Sequence, residues 1–176
     1  MSRKNKRLFI VICTGAILFA GITNMTVRAT SSDEKKICPL YQTYCKEIGQ
    51  AYQICPELIE AIIEAESGGD AGATGSGGDI GLMQIVPQWH KVRAEHLKVY
   101  DLTDPYGNIL VGTDYLYTLI IKYGGEVAPA LMEYHGERDV EERIRRGEIS
   151  EYALKILNRA RELEEERDAK QSAVVG

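Results

Sequence analysis

The predicted second helix carries four glutamates, and the spacing of its apolar residues separates one of them from the rest. Glu66 falls at position i+7 of a stripe of isoleucines, Ile59, Ile62 and Ile63. The other three share the opposite face, which is predicted to be polar: Glu57, Glu60 and Glu64. A charged carboxylate is costly to bury among apolar side chains, so the pKa of Glu66 is expected to rise. A carboxyl group that keeps its proton near neutral pH can protonate a leaving oxygen, which glycosidic-bond cleavage requires.

The end of this helix leaves a second interpretation of Glu66 open. Pro56 is expected to begin the helix, because the first turn does not need its missing N–H, and Gly68-Gly69 is expected to end it. A glutamate in the last turn can also extend its carboxylate past these glycines into solvent, and periodicity alone does not distinguish the two cases. The segment 68–79 holds six glycines and no large side chain, so it is predicted to be a loop or a short hairpin.

Helical patterns account for most of the remaining chain. Further helices are predicted over residues 39–52, 87–98, 105–123, 127–134, 139–146 and 150–167. The helix that follows Asp104-Pro105 is apolar all round, so it is expected to be the central buried helix. Together these elements predict an all-α fold, a compact single domain with a substrate groove. Residues 168–176 are expected to be a frayed tail.

The first 29 residues have the pattern of an export signal. Four basic residues lie within residues 3–7, an apolar stretch covers 8–22, and Val27-Arg28-Ala29 supplies the small residues that a signal peptidase reads. The apolar stretch is short beside the roughly 20 residues of a membrane-spanning helix, although an uncleaved membrane anchor is the alternative. Val11-Ile12 before Cys13 lacks the small residue of a lipoprotein signal, so no lipid anchor is predicted.

The charge of the remaining chain narrows the class of partner. Removing residues 1–29 takes away five of the 21 basic residues and none of the 26 acidic ones, which leaves a net charge of −10. A surface of this sign is repelled by nucleic-acid phosphates and by anionic lipid. An extracellular polymer therefore fits an exported chain of this charge better than nucleic acid does, and a secreted or cell-wall-associated location is expected.

Three cysteines follow the predicted signal: Cys38, Cys45 and Cys55. An odd number in an exported chain allows one disulfide and one remaining thiol, and Cys45–Cys55 could join two consecutive helices. Small buried residues without a bridge are the alternative. Their spacings fit no structural zinc pattern, so neither a metal nor a cofactor is predicted.

Four segments occur in a fixed order from Glu66 onwards. They are ESG at 66–68 with GLMQI at 81–85, DPYGNI at 104–109 with Gly112 and Tyr115-Leu116, ALMEYHG at 130–136, and EISEY at 148–152. In this order they resemble the motifs of the SLT-type lytic transglycosylases, which belong to the goose-lysozyme-like superfamily. The resemblance covers roughly residues 53–160. It implies a lysozyme-like transglycosylase domain over residues 53–167, preceded by a lead-in and helix at 30–52.

The resemblance also implies a reaction and a site. Glu66 is expected to be the only acid/base residue, cleaving the β-1,4 bond between N-acetylmuramic acid and N-acetylglucosamine with a 1,6-anhydromuramyl product. Peptidoglycan glycan strands are the implied partner. Tyr134 is expected to place its hydroxyl near Glu66, and Asn108 to order the floor of the groove. The expected groove-lining residues are Ser67, Met83 and Gln84.

Two departures from the family pattern raise alternatives. His135 stands where the family usually has asparagine, which could change a groove hydrogen bond, add a proton relay or be a tolerated replacement. Asp79 stands where the family prefers alanine, and it is either a second carboxylate or a turn cap in the glycine-rich segment. A hydrolytic muramidase that uses Asp79 is therefore one alternative function. A non-catalytic wall-binding accessory protein with the same fold is another.

Overall fold

The computed structural model describes residues 37–175, and this part of the chain is helical. Its seven helices are α1 Pro39–Tyr52, α2 Pro56–Glu66, α3 Pro87–His96, α4 Pro105–Lys122, α5 Val127–Tyr134, α6 Val140–Arg145 and α7 Glu151–Val175. Between α2 and α3, isolated antiparallel bridges join Thr74 to Ile80 and Ile80 to Ile85. The all-α prediction is confirmed. The predicted export signal lies outside the described residues.

Proline sets the beginning of each of the first four helices. Pro39, Pro56, Pro87 and Pro105 occupy the first helical position, where the ring fixes φ and the missing N–H is not needed. The start of α4 is also capped, because the Asp104 carboxylate accepts a hydrogen bond of 2.7 Å from the backbone N–H of Gly107. These starts agree with the sequence-based predictions.

Five of the helices contact one another in a closed ring. α1 packs against α2 and α4, α2 packs against α7, and α5 completes the ring by packing against α4 and α7. Outside the ring, α3 lies on α4 and α6 lies on α5. One cluster of buried apolar residues draws on all seven helices and on the turn before α3. α4 is buried over most of its length as predicted, although Ile121 in its last turn is 44% exposed.

The helix that carries Glu66 is more enclosed than its sequence indicates. All seven residues from 57 to 63 are buried, including Glu57 at 3% and Glu60 at 9% exposure. The predicted polar face of Glu57, Glu60 and Glu64 is therefore largely enclosed rather than open to solvent. The reason is that α7 covers this face with arginines, since Arg167 contacts the Glu57 carboxylate and Arg159 binds Glu64 with an Nε–Oε2 distance of 2.6 Å.

α7 also differs from its predicted length. It continues to Val175, so the predicted end at Arg167 is wrong, and residues 168–175 are helical rather than frayed. These residues include neither glycine nor proline, and Lys170 lies 3.6 Å from Glu166, one turn earlier. Among residues 37–175, no helix is both long and apolar enough to cross a membrane.

The cysteine at the centre of α1 belongs to the core. Cys45 is fully buried and its thiol is free, so it forms no bridge to Cys55. Burial raises the pKa of this thiol. Cys38 is exposed and also carries a free thiol. The Cys55 thiol instead donates a hydrogen bond of 2.6 Å to the Glu57 carboxylate.

Candidate active site

Glu66 is the last residue of α2, and the next residue ties this helix end to the turn at 81–85. The Ser67 hydroxyl lies 2.9 Å from the carbonyl oxygen of Leu82 and 3.1 Å from that of Ile63, and it accepts a hydrogen bond from the backbone N–H of Gly69. A hydroxyl bonded in this way holds two backbone segments together. The structure therefore gives Ser67, expected in the groove wall, a role in joining the acid to the turn beside it.

The Glu66 carboxyl group is partly buried, and its pKa is set by burial and by three neighbouring side chains. Burial is the largest effect, and it raises the pKa above the ordinary value of a glutamate. The Tyr152 hydroxyl donates a hydrogen bond to Oε1 and lowers the pKa, as does the charge of His135. The charge of Asp79 raises it. Because the net shift is upwards, Glu66 retains its proton to a higher pH than an exposed glutamate does.

Two tyrosines lie near Glu66, and they have different hydrogen-bond partners. The Tyr134 hydroxyl donates to the carbonyl oxygen of Met83 at 2.9 Å, rather than to the carboxylate near which it was expected. Glu66 is still close enough to Tyr134 for its charge to raise the pKa of that phenol, although burial is the larger cause. The direct partner of Glu66 is Tyr152, whose pKa is also raised, first by burial and then by the charge of Glu66.

Asn108, on α4, fixes the turn at 81–85 with three hydrogen bonds. Its Oδ1 accepts from the backbone N–H of Met83 at 2.8 Å, and its Nδ2 donates to the carbonyl oxygens of Ile80 and Leu102 at 2.8 and 2.9 Å. Gly81 has φ +73°, and a Cβ there would lie 2.5 Å from Asn108 Nδ2, so only glycine fits both demands. The side-chain amide of Asn108 thus supplies hydrogen bonds to the turn at 81–85, where there is almost no β-sheet pairing.

Two of the residues expected to line the groove differ in exposure. Met83 is fully buried against α4, where a Cβ on Gly112 would lie 2.6 Å from its sulfur, so its side chain is part of the core. Gln84 is partly exposed and has φ +47°, and its Nε2 donates to the carbonyl oxygen of Gly81 at 2.9 Å. Of the two, only Gln84 exposes side-chain surface.

The two residues that depart from the family pattern have different surroundings. The His135 ring stacks on Tyr152 with a centroid distance of 3.9 Å and an interplanar angle of 11°. The Asp79 carboxylate lies against Gly75 and Gly77 within the glycine-rich segment, where a Cβ on Gly77 would be 3.2 Å from Oδ2. Asp79 therefore packs in its own turn, while its charge still acts on Glu66.

Sequence reasoning did not assign a role to Tyr152. It lay within the segment 148–152 that carried the resemblance, but nothing in the local pattern of α7 indicates that its hydroxyl meets a residue 86 positions earlier. A tyrosine at the start of a mainly charged helix was the available signal. α7 therefore supplies the partner of the candidate acid and also the cover of its helix.

Replacing Tyr152 by phenylalanine is expected to raise the pKa of Glu66 further. The hydroxyl stabilises the charged carboxylate, so its removal leaves the effect of burial less opposed. Titration of ¹³C-labelled glutamate carboxyl groups by NMR measures this shift, with the Glu66→Gln variant identifying the resonance. Tyr100→Phe is the control, because Tyr100 is 86% exposed. A Glu66 titration that is the same in Tyr152→Phe and in the unchanged protein would contradict this prediction.

Comparison with known proteins agrees with the order of the motifs. Residues 43–155 match the family described as the transglycosylase SLT domain. A transglycosylase of Enterobacteria phage PRD1 is 35% identical over 85 residues, which cover 48% of this chain and 30% of the phage protein. The endo-type membrane-bound lytic murein transglycosylases A of Cronobacter sakazakii and Citrobacter koseri are 33% and 32% identical over 104 and 99 residues. Each of these two matches covers 51% of this chain and 48% of the relative.

The chain thus spans half or less of the length of these relatives. The family match itself covers well over half of the chain and includes Glu66, the turn at 81–85, Asn108 and Tyr152. By the extent of this match, the chain belongs to the transglycosylase SLT domain family.

Proposed function

We propose that this protein is an exported peptidoglycan lytic transglycosylase in which Glu66 is the only acid/base residue. The observation that carries the proposal is the Glu66 carboxyl group, partly buried at the end of α2, with a raised pKa and a hydrogen bond from Tyr152. The named activity of the relatives from Cronobacter sakazakii and Citrobacter koseri, lytic murein transglycosylase, supports the same reaction.

The proposed reaction uses Glu66 twice. In the first step the protonated carboxyl group gives its proton to the glycosidic oxygen, and the bond from C1 of N-acetylmuramic acid to that oxygen breaks. The acetamido group of the same sugar stabilises the positive charge that develops at C1. In the second step the Glu66 carboxylate takes the proton from the O6 hydroxyl as O6 bonds to C1. The 1,6-anhydro ring closes, Glu66 regains its proton, and no water is consumed.

The surrounding residues have supporting roles in this proposal. Asn108 holds the turn at 81–85 on α4, Ser67 ties it to the end of α2, and Tyr134 holds the same turn through the Met83 carbonyl. Gln84 offers side-chain surface to the sugar. His135 borders the acid on the side of α7. A rigid turn beside the acid is what places a bound sugar within reach of a proton donor.

Export is part of the proposal. It is supported by the basic, apolar and small-residue pattern of residues 1–29 and by the net charge of −10 that remains without them. The word "membrane-bound" in the names of two relatives agrees with a location outside the cytoplasm. The proposed partner is the glycan strand, without nucleic acid or a lipid anchor.

Product analysis distinguishes this proposal from a hydrolytic muramidase. The charge of Asp79 acts on Glu66, which is the observation that favours a second carboxylate. We expect Asp79→Asn to retain cleavage within about threefold and to leave 1,6-anhydromuramyl products unchanged, because its carboxylate packs against its own glycine turn. Mass spectrometry of digested peptidoglycan measures both.

The control for this experiment is Asp70→Asn, because Asp70 lies in the same segment and caps the N–H of Gly72 at 2.8 Å. Products with reducing ends that disappear in Asp79→Asn alone would support hydrolysis instead. Tight binding of peptidoglycan by the unchanged protein, with no muropeptide released, would support the non-catalytic accessory function.

A further inference from the structure

One imidazole stacks on the phenol that donates a hydrogen bond to the candidate acid. The His135 ring lies parallel to the Tyr152 ring, with centroids 3.9 Å apart and planes 11° apart, and the Tyr152 hydroxyl donates to Glu66 Oε1. Parallel rings at this distance share most of their faces. Any movement of the Tyr152 ring out of its own plane towards His135 therefore meets the imidazole.

His135 is itself held by two charged groups, one in its own turn and one on α6. Its Nδ1 lies 3.6 Å from the Glu137 carboxylate, and Glu137 forms an ion pair with Arg143 on α6. The backbone beneath it is fixed as well, because the N–H of Gly136 donates to the Glu133 carbonyl and the N–H of Glu137 to the Met132 carbonyl. The imidazole thus has a defined orientation although about half of its side chain is exposed.

We propose that His135 is a positioning residue for the candidate acid: by stacking on Tyr152 it holds the phenol hydroxyl on Glu66, and its imidazolium form adds a positive charge beside that carboxylate. Glu137 and Arg143 hold the imidazole in place. This inference rests on the proposed function for its catalytic consequence, but its effect on Glu66 can be measured without catalysis.

The charges around the imidazole determine the direction of its effect. The titratable and charged groups that face it are Glu66 on α2, Tyr152 on α7 and Glu137 in its own turn, with Arg143 behind Glu137. The His135 charge lowers the pKa of Glu66, against the larger effect of burial and the opposing charge of Asp79.

Two variants separate the stacking from the charge. His135→Phe retains an aromatic ring over Tyr152 without a charge, whereas His135→Ala removes both. The control is His96→Ala, which removes an exposed histidine from α3. Two measurements are made on each variant: the titration of the Glu66 carboxyl group by ¹³C NMR, and kcat and KM on peptidoglycan strands between pH 4 and 8. The midpoint of thermal unfolding shows that each variant is folded.

The two variants are expected to share one effect and to differ in the other. Both should raise the pKa of Glu66, and both should move the alkaline limb of kcat/KM to higher pH, because the general acid then keeps its proton longer. Only His135→Ala should lower kcat on the pH plateau, by roughly 2- to 10-fold, which is the factor that loss of one aromatic stack corresponds to. KM should change less than kcat, and His96→Ala should match the unchanged protein.

Each part of the inference can be overturned separately. Equal kcat values for His135→Ala and His135→Phe would overturn the role of stacking. A Glu66 titration identical in both variants and in the unchanged protein would overturn the role of the charge. If the unchanged protein cleaves no peptidoglycan, the proposed function fails, whereas the NMR titration still decides whether His135 acts on Glu66.

Discussion

Glu66→Gln is expected to lower the cleavage of peptidoglycan by about 10³-fold or more while the fold stays intact. General acid–base catalysis by one side chain contributes about 10²- to 10⁴-fold, and here the same carboxyl group is proposed to serve both steps. Glutamine keeps the shape of glutamate and can still accept the hydrogen bond from Tyr152, but it neither gives nor takes a proton. The release of 1,6-anhydromuramyl products, measured by mass spectrometry, should therefore disappear.

The same substitution is expected to stabilise the protein at neutral pH. Burial raises the pKa of Glu66 in the folded state above its value in the unfolded chain, so the unchanged protein loses stability as pH rises from the unfolded pKa through the folded one. Glutamine does not titrate. The difference in unfolding midpoint between Glu66→Gln and the unchanged protein should thus be near zero at pH 4, grow with pH, and level off once Glu66 is ionised in the fold.

A matched control is available on α3, where Glu95 is an exposed glutamate in the last turn of the helix. Glu95→Gln should leave the product pattern unchanged. If Glu66→Gln retained more than a tenth of the activity, another group would have to be the acid. If Glu66→Gln were instead less stable than the unchanged protein by a margin that grows with pH, the ionised Glu66 carboxylate would stabilise the fold, and its pKa would not be raised.

The parts of the fold that depend on residues close together in the sequence could be predicted from the sequence. The starts of the first four helices follow from proline at the first helical position, and the 3.6-residue period separated Glu66 from the other glutamates of α2. Such patterns describe one helix at a time. They state which face is apolar, but they do not state what covers the polar face.

The errors arise where a distant element supplies the partner. The pattern of α2 did not indicate that Glu57 and Glu64 are covered, because the arginines that meet them, Arg167 and Arg159, lie about a hundred residues later on α7. The hydroxyl of Tyr152 reaches Glu66 across the same α2–α7 contact. A polar residue is expected at the surface only if no charged partner covers it, and this condition depends on the tertiary fold.

The structure adds detail to the expected groove residues in a related way. Met83 and Ser67 were expected to line the sugar groove; the Met83 side chain is buried against α4, and the Ser67 hydroxyl lies within hydrogen-bond distance of backbone carbonyls. Both residues hold the turn at 81–85 in place. A sequence motif therefore marks the segments that form the site, and only the coordinates separate the residues that face the groove from those that support it.

Asn108→Asp is expected to be the most destabilising change among the residues that hold the turn at 81–85, although it only replaces the side-chain NH₂ group by an oxygen. Nδ2 donates two hydrogen bonds, to the carbonyl oxygens of Ile80 and Leu102, and a carboxylate oxygen in its place would face both carbonyls without a proton. Leaving buried polar groups unsatisfied costs about 1–3 kcal/mol each, so a loss of about 2 to 5 kcal/mol in the free energy of unfolding is expected at pH 7. Denaturant titration measures this loss.

The control is Asn158→Asp on α7, because Asn158 is exposed and accepts a hydrogen bond from Arg161 that a carboxylate can also accept. It should change stability by less than about 0.5 kcal/mol. A loss at Asn108→Asp no larger than in this control would show that the two carbonyl bonds do not hold the turn.

The pH dependence of Asn108→Asp tests the cause of the loss. The two carbonyl oxygens disfavour the charged carboxylate, so its pKa in the folded state should lie above the ordinary value of about 3.9, and the protonated form can donate one of the two bonds. The loss of stability should therefore be smallest below about pH 4 and should increase as pH rises through the folded pKa. Because the same amide holds the backbone of Met83, whose carbonyl accepts from Tyr134, cleavage should fall along with stability. A loss of stability that is independent of pH would point to lost packing rather than to the missing donor.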